Sequence, residues 1–61
     1  MSEKELDVFV RELKENGTEL YSFVAENTSE DLSDEQMDVL VSELEGDYLS
    51  LREFVINALE L

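Results

Sequence analysis

Apolar residues recur along the chain in four stretches, each with the spacing of one face of an α-helix. Charged and polar residues fill the positions between them. This pattern predicts four amphipathic helices near residues 3–15, 19–27, 34–45 and 48–60. The apolar positions are Leu6, Phe9, Val10 and Leu13; Leu20, Phe23 and Val24; Met37, Leu40, Val41 and Leu44; and Leu51, Phe54, Val55, Ala58 and Leu59.

Residues that break helices are scarce, since the chain has no Pro and two Gly. We expect helices to end near Gly17 and Gly46. A short turn at Asn16-Gly17 favours an antiparallel hairpin of the first two helices, with Thr18 as N-cap of the second. Asp47 is the candidate N-cap of the fourth helix. Because one Gly costs a helix only about 1 kcal/mol, a continuous rod through Gly46, and hence three helices, is the alternative.

The chain aligns with itself when it is shifted by 31 residues. Nine of thirty aligned pairs are identical, where chance would give roughly two or three. The alignment predicts an internal repeat of residues 1–30 and 32–61, joined by a loop at residues 28–31. The identical pairs are Ser2/Ser33, Asp7/Asp38, Val8/Val39, Val10/Val41, Glu12/Glu43, Leu13/Leu44, Leu20/Leu51, Phe23/Phe54 and Val24/Val55.

Helix-start signals repeat with the same spacing. Ser2-Glu3-Lys4-Glu5 and Ser33-Asp34-Glu35-Gln36 both fit the capping box, in which the Ser and the third residue after it exchange hydrogen bonds. Met1 and Leu32 precede these Ser residues, and apolar residues follow at the fourth helical position. A hydrophobic staple is therefore expected at both starts.

These patterns predict an all-α fold, a small four-helix or three-helix bundle built from two similar helical hairpins of about 31 residues. Residues 1–61 form a single domain. Because so short a chain buries little apolar surface, we expect that it can associate with itself to form a homodimer. Apolar residues off the main stripes are the candidates for a dimer or partner surface: Val8, Val39, Tyr21, Tyr48, Leu49 and Leu61.

The composition excludes several kinds of chemistry. With no Cys and no His, the chain has neither a disulfide, nor a zinc site of the Cys/His kind, nor a triad that needs either residue. A pair of carboxylates needs a concave site to act as general acid and base. A bundle of four short helices is not expected to form such a cleft. We therefore expect no enzyme activity, no catalytic residue, no cofactor and no metal site.

Charge is the strongest compositional signal. The 17 acidic residues against four Lys and Arg give a net charge of −13. Such a chain repels nucleic acid and anionic lipid, so we expect neither direct nucleic-acid binding nor membrane binding. A basic protein is the expected partner. The acidic residues predicted to face it lie mostly off the apolar stripes: Glu12, Glu15, Glu19, Glu26, Glu43, Glu45, Asp47 and Glu53.

In size, charge and helicity the chain resembles small phage-encoded proteins that imitate DNA. The resemblance implies a cytoplasmic, non-enzymatic interaction module whose carboxylates imitate a phosphate ladder and occupy the basic groove of a nucleic-acid-binding protein. The first alternative is a self-associating assembly module, a homodimer with no basic partner. A solvated acidic surface adapted to a salt-rich cytoplasm is another. A third hypothesis is a divalent-cation-responsive module that uses the oxygen-rich residues 29–35, which lack the EF-hand pattern.

Overall fold

The computed structural model describes residues 1–28 and 31–61, and the regular structure of these residues is entirely α-helical. The all-α prediction is confirmed, and the count of helices within these ranges is four. None of them has the length and apolar composition that crossing a membrane requires. The helices are α1 (Glu3–Glu15), α2 (Gly17–Asn27), α3 (Asp34–Gly46) and α4 (Tyr48–Leu59).

Two residues each end one helix and begin the next. Asn16 lies between α1 and α2 and Asp47 lies between α3 and α4, both with extended backbone (φ −117° and −133°). The Asn16 side chain accepts a hydrogen bond from the Glu19 amide at 3.2 Å. Asp47 accepts from the amides of Leu49 and Ser50 at 3.1 and 3.3 Å. An extended residue interrupts the helical hydrogen bonds, so α3 and α4 are separate and the three-helix alternative is wrong.

The predicted cap of α2 is wrong by two residues. Asn16, not Thr18, is its N-cap, because the Asn side chain can accept a bond from the third helical amide. Neither glycine uses the left-handed conformation that makes Gly a common helix end. Gly17 begins α2 and Gly46 ends α3, with negative φ at both. The turns therefore depend on Asx caps rather than on glycine.

The two Ser-capped starts differ in detail. At α3, Ser33 accepts from the Gln36 amide at 3.2 Å and Gln36 Oε1 accepts from the Ser33 amide at 3.0 Å, a complete capping box. At α1, the Ser2 hydroxyl accepts from the Glu5 amide at 3.2 Å but donates to Glu5 Oε1 at 3.1 Å. The Glu5 carboxylate bonds the hydroxyl instead of the Ser2 amide. The first box is therefore incomplete.

The buried core consists of ten aliphatic or Met side chains. Five come from each half, and every one matches its counterpart at the 31-residue shift. No polar side chain is buried within the described ranges. The five pairs are Leu6/Met37, Val10/Val41, Leu13/Leu44, Leu20/Leu51 and Val24/Val55.

Each helix packs on its hairpin partner and on one helix of the other half. Most contacts between halves join α1 to α4 and α2 to α3. A shift of 31 residues converts the first of these interfaces into the second. The arrangement is a helical bundle in which one shared core holds both halves, as expected for hairpins that cannot bury their apolar sides alone.

Candidate interaction surface

All eight acidic residues predicted to meet a partner are exposed, and each of the four helices or its cap contributes to the set. Glu12 and Glu43 lie on α1 and α3 at equivalent positions of the repeat. Within the described residues, two carboxylates pair with arginine: Asp7 with Arg11 at 3.2 Å and Glu3 with Arg52 at 4.0 Å. Most of the negative charge is thus uncompensated by ion pairs.

Four of these acidic residues gather at the end of the bundle that carries the two Asx turns. Glu15 and Glu19 flank the first turn, whereas Glu45 precedes the second turn and Asp47 forms it. The turns face each other, since a Cβ built on Gly17 would lie 3.8 Å from Glu45 Oε2. We call Glu15, Glu19, Glu45 and Asp47 the acidic end.

Asp47 holds its negative charge more firmly than a free carboxyl. The pKa of Asp47 is lowered, first because its carboxylate accepts hydrogen bonds from the Ser50 amide and hydroxyl, and then from the Leu49 amide. The positive charge of Lys14 contributes a smaller part of the lowering. Capping α4 and keeping an ionised carboxylate at the acidic end are thus two effects of the same hydrogen bonds.

Four of the six candidate residues for a dimer or partner surface fall into two environments. Leu49 and Leu61 are 73% and 54% exposed. Tyr21 and Tyr48 are half-buried and pack against the core of their own chain. The Tyr48 hydroxyl donates a hydrogen bond to Asp7, which joins α4 to α1. This bond to a carboxylate is the main reason that the pKa of Tyr48 is raised.

Two shallow apolar grooves run along α1 and α3, and sequence reasoning did not foresee them as sites. Their volumes are about 370 and 460 Å³. Val8 and Phe9 lie in the first, the α1 groove, and Val39 and Leu40 in the second, the α3 groove. All six lining positions correspond at the 31-residue shift: Met1/Leu32, Lys4/Glu35, Glu5/Gln36, Val8/Val39, Phe9/Leu40 and Glu12/Glu43.

A signal for the grooves was present in the sequence. Val8/Val39 is an identical pair of the repeat that lies beside the core stripe, not on it. Both side chains are exposed, at 48% and 56%. An apolar residue that is retained at equivalent exposed positions in two halves indicates a surface role.

A row of three aromatic rings begins at Phe9 of the α1 groove. Phe9 and Phe23 meet edge to face with ring centroids 5.5 Å apart, and Phe23 and Phe54 do so at 6.0 Å. All three rings are half-buried against the core. They therefore stabilise the bundle and also leave apolar surface beside the groove.

Metal-binding geometry does not appear in residues 1–28 and 31–61, where no group of three or more acidic side chains is arranged to hold an ion. The oxygen-rich segment considered for a divalent cation begins with Ser29 and Glu30, which lie outside the described residues. The cation hypothesis stays a prediction.

The molecule thus belongs to the class of small all-helical bundles, with an acidic end and two apolar grooves as its candidate sites. The chain matches no protein-family model, no curated protein and no solved structure at a significant level.

Proposed function

We propose that this protein is a cytoplasmic, non-enzymatic interaction module that docks on a basic protein. The observation that carries the proposal is the net charge of −13, borne by carboxylates that are nearly all exposed and seldom paired. An uncompensated field of this kind speeds encounter with a positively charged surface and disfavours acidic partners.

A basic nucleic-acid-binding protein is the most concrete partner, with inhibition by occupation of its DNA-binding groove as the mechanism. The acidic end supports this version because its carboxylates lie around two helix-capped turns, and a cap fixes one of them. Asp47 illustrates the point, since three hydrogen bonds fix its carboxylate. Fixed charges lose less freedom on binding than charges on mobile loops.

The two similar halves support a further part of the proposal, that the bundle arose by duplication of one helical hairpin. The five core pairs and the shared cap position Asn16/Asp47 all keep the 31-residue register. Duplication explains why the grooves occur twice. It does not explain the acidic end, where only Asn16/Asp47 keeps its cap role and Glu19 corresponds to Ser50.

The test is a competition experiment with the immobilised chain at low salt. Basic DNA-binding proteins from a lysate should be retained, identified by mass spectrometry and displaced by duplex DNA. Retention should fall steeply as NaCl is added. Recovery of no basic protein, or retention that is indifferent to both DNA and salt, contradicts the proposal.

Two variants with equal net charge locate the contact. The first neutralises the acidic end by substituting Gln for Glu15, Glu19 and Glu45 and Asn for Asp47, which keeps the cap. The second neutralises four exposed carboxylates outside the predicted partner-facing set, Asp31, Asp34, Asp38 and Glu60. Loss of retention in the first variant alone supports the acidic end, and equal loss in both indicates an effect of total charge only.

A further inference from the structure

We infer that the α3 groove is the docking site for a basic amphipathic helix of the partner, and that the α1 groove is a weaker copy of it. The inference rests on the proposed function and deepens it, because it adds an apolar contact to a charge-driven encounter. Both grooves combine an exposed valine with a rim that contains glutamate.

The exposed valine of each groove does not belong to the core. The buried core consists of five pairs from the helix faces that point inward, and neither Val8 nor Val39 belongs to it. A valine that is about half exposed gives up much of the free energy that its burial would supply. Covering Val39 with an apolar side chain from another molecule would recover that free energy.

The rim of each groove selects the charge of the occupant. Two glutamates line each groove, Glu35 and Glu43 in the α3 groove and Glu5 and Glu12 in the α1 groove. The α1 groove also contains Lys4, whereas no basic residue lines the α3 groove. The α3 groove is therefore the more negative of the two. Lys or Arg side chains on either flank of a docked helix would complement its rim, and Lys4 would oppose them in the other groove.

The dimensions of the groove fit a helix. Within α3 its lining residues extend from Glu35 to Glu43, eight residues further along the helix, which at 1.5 Å per residue is about 12 Å, or just over two helical turns. An occupant of the same length presents apolar side chains at i, i+3 or i+4, and i+7 along one face. These anchors would lie over Leu32, Val39 and Leu40.

Charge also argues against other occupants. A second copy would bring another net charge of −13 to a rim that is itself acidic. An anionic membrane would be repelled for the same reason. A basic amphipathic helix satisfies both the apolar groove and its acidic rim.

The test uses a synthetic helical peptide of about 14 residues, with Leu at i, i+3, i+4 and i+7 and Lys on the flanking positions. A second peptide has the same composition but is shuffled so that its Leu residues share no face. Binding of both peptides to the full chain is measured by calorimetry at low salt. The key variant is Val39→Asp, which removes an apolar contact while it adds a negative charge.

The groove inference predicts opposite responses from the two peptides. Val39→Asp should weaken the amphipathic peptide about tenfold or more and leave the shuffled peptide unchanged or slightly tighter. The matched variant Val8→Asp should weaken the amphipathic peptide much less. Exchange of the rim charges, by Glu35→Lys and Lys4→Glu together, should reverse the preference of the two grooves.

Other outcomes contradict the inference in distinguishable ways. Equal binding of both peptides, unaffected by Val39→Asp, overturns the groove site and leaves the acidic docking function standing. Binding of neither peptide also overturns the groove site, whereas the docking function is decided separately by the retention of basic DNA-binding proteins. A dimer in sedimentation that Val39→Asp dissociates replaces the basic helix with a second copy. Amide shifts at Val39 and Leu40 in NMR spectra of the unmodified chain check the site if the variant fails to fold.

Discussion

The two interfaces between the halves have equivalent cores but different polar surfaces. The interface of α1 with α4 carries the Tyr48–Asp7 hydrogen bond and the ion pair of Arg52 with Glu3. At the equivalent positions of the α2–α3 interface, Gly17 replaces Tyr48 and Tyr21 replaces Arg52. The acidic positions are retained as Asp38 and Asp34, without those partners.

The difference follows the order of the helices in the chain. A short connection joins α2 to α3 and keeps them close, whereas α1 and α4 are the first and last helices. Bringing them together closes the longest loop of the chain and so costs the most chain entropy. Among residues 1–28 and 31–61, the interface that closes the bundle is thus the one that has polar side-chain contacts in addition to its apolar ones.

The largest effect is expected in the core, where the two interfaces should respond alike. Leu20 and Leu51 are equivalent and fully buried. Leu20→Ala and Leu51→Ala should each cost about 2–5 kcal/mol, out of a total stability of about 3–9 kcal/mol for a chain of this size. Urea unfolding followed by circular dichroism measures both. If one of the two variants loses much less stability than the other, the two halves do not contribute equally to the core.

A matched control for these variants is Leu49→Ala. Leu49 is 73% exposed on the same helix as Leu51, so its truncation removes little buried area. We expect a change of less than about 0.5 kcal/mol.

The next effect should separate the two interfaces. Tyr48→Phe removes the hydroxyl that joins α4 to Asp7, and it should destabilise the chain by less than the core truncations. Tyr21→Phe is the control, because the Tyr21 hydroxyl makes no hydrogen bond within the described residues. Thermal melts of the two variants compare them, and an equal shift would mean that the Tyr48–Asp7 bond contributes nothing.

The Tyr48 effect should also depend on pH. The raised pKa of Tyr48 means that the folded state holds the phenolic proton more firmly than the unfolded state. The stabilisation is then present below the unfolded value of about 10 and is lost as the pH rises through the raised value. The difference between the wild-type chain and Tyr48→Phe should shrink over that range.

The sequence predicted the core well, because its signal is local and repeated. All ten buried residues lie on the predicted apolar stripes, and the helix bounds differ from the prediction by at most two residues. Asn16 was not predicted as a cap because Gly17 indicated a turn that placed the helix start at Thr18, although Asn16 aligns with Asp47. Contacts such as Tyr48–Asp7 join residues 41 positions apart, and no periodicity indicates such a pair.

The grooves were missed for a different reason. The sequence singled out Val8 and Val39 as apolar residues off the stripe, but a groove is defined by what neighbouring side chains leave uncovered. Its boundaries depend on the packing of the whole helix. The charge of each rim, by contrast, can be read from the sequence once the 31-residue register is known.

A smaller effect is expected at the two glycines, which interrupt the repeat. Neither has positive φ, a Cβ on Gly46 would meet nothing within 4 Å, and one on Gly17 would meet only Glu45 Oε2 at ordinary contact distance. Gly17→Ala and Gly46→Ala should each stabilise the chain by about 0.5 kcal/mol, since alanine has less freedom to lose on folding. Destabilisation by Gly17→Ala in chemical unfolding would mean that the α2–α3 interface needs closer approach at that turn.

The smallest effect compares the two caps, Asn16 and Asp47. Asp47→Asn should preserve capping, since Asn16 caps α2 with an amide, and should remove only the charge. Hydrogen bonds from Ser50 lower the pKa of Asp47 in the folded chain. The charge therefore stabilises the folded state above the unfolded value of about 3.8, and this contribution disappears as the pH falls through the lowered value. The stability difference between wild-type chain and variant, measured by urea unfolding across that range, should be largest near neutral pH and vanish in acid.

The comparison variant is Asn16→Asp, which places the same charge at the other cap, in the turn that faces Glu45. There the charge should stabilise the folded chain less than the charge of Asp47 does, or destabilise it. If an Asp at either cap stabilises the chain equally relative to Asn, the two turns have the same electrostatic environment, contrary to the difference between the interfaces.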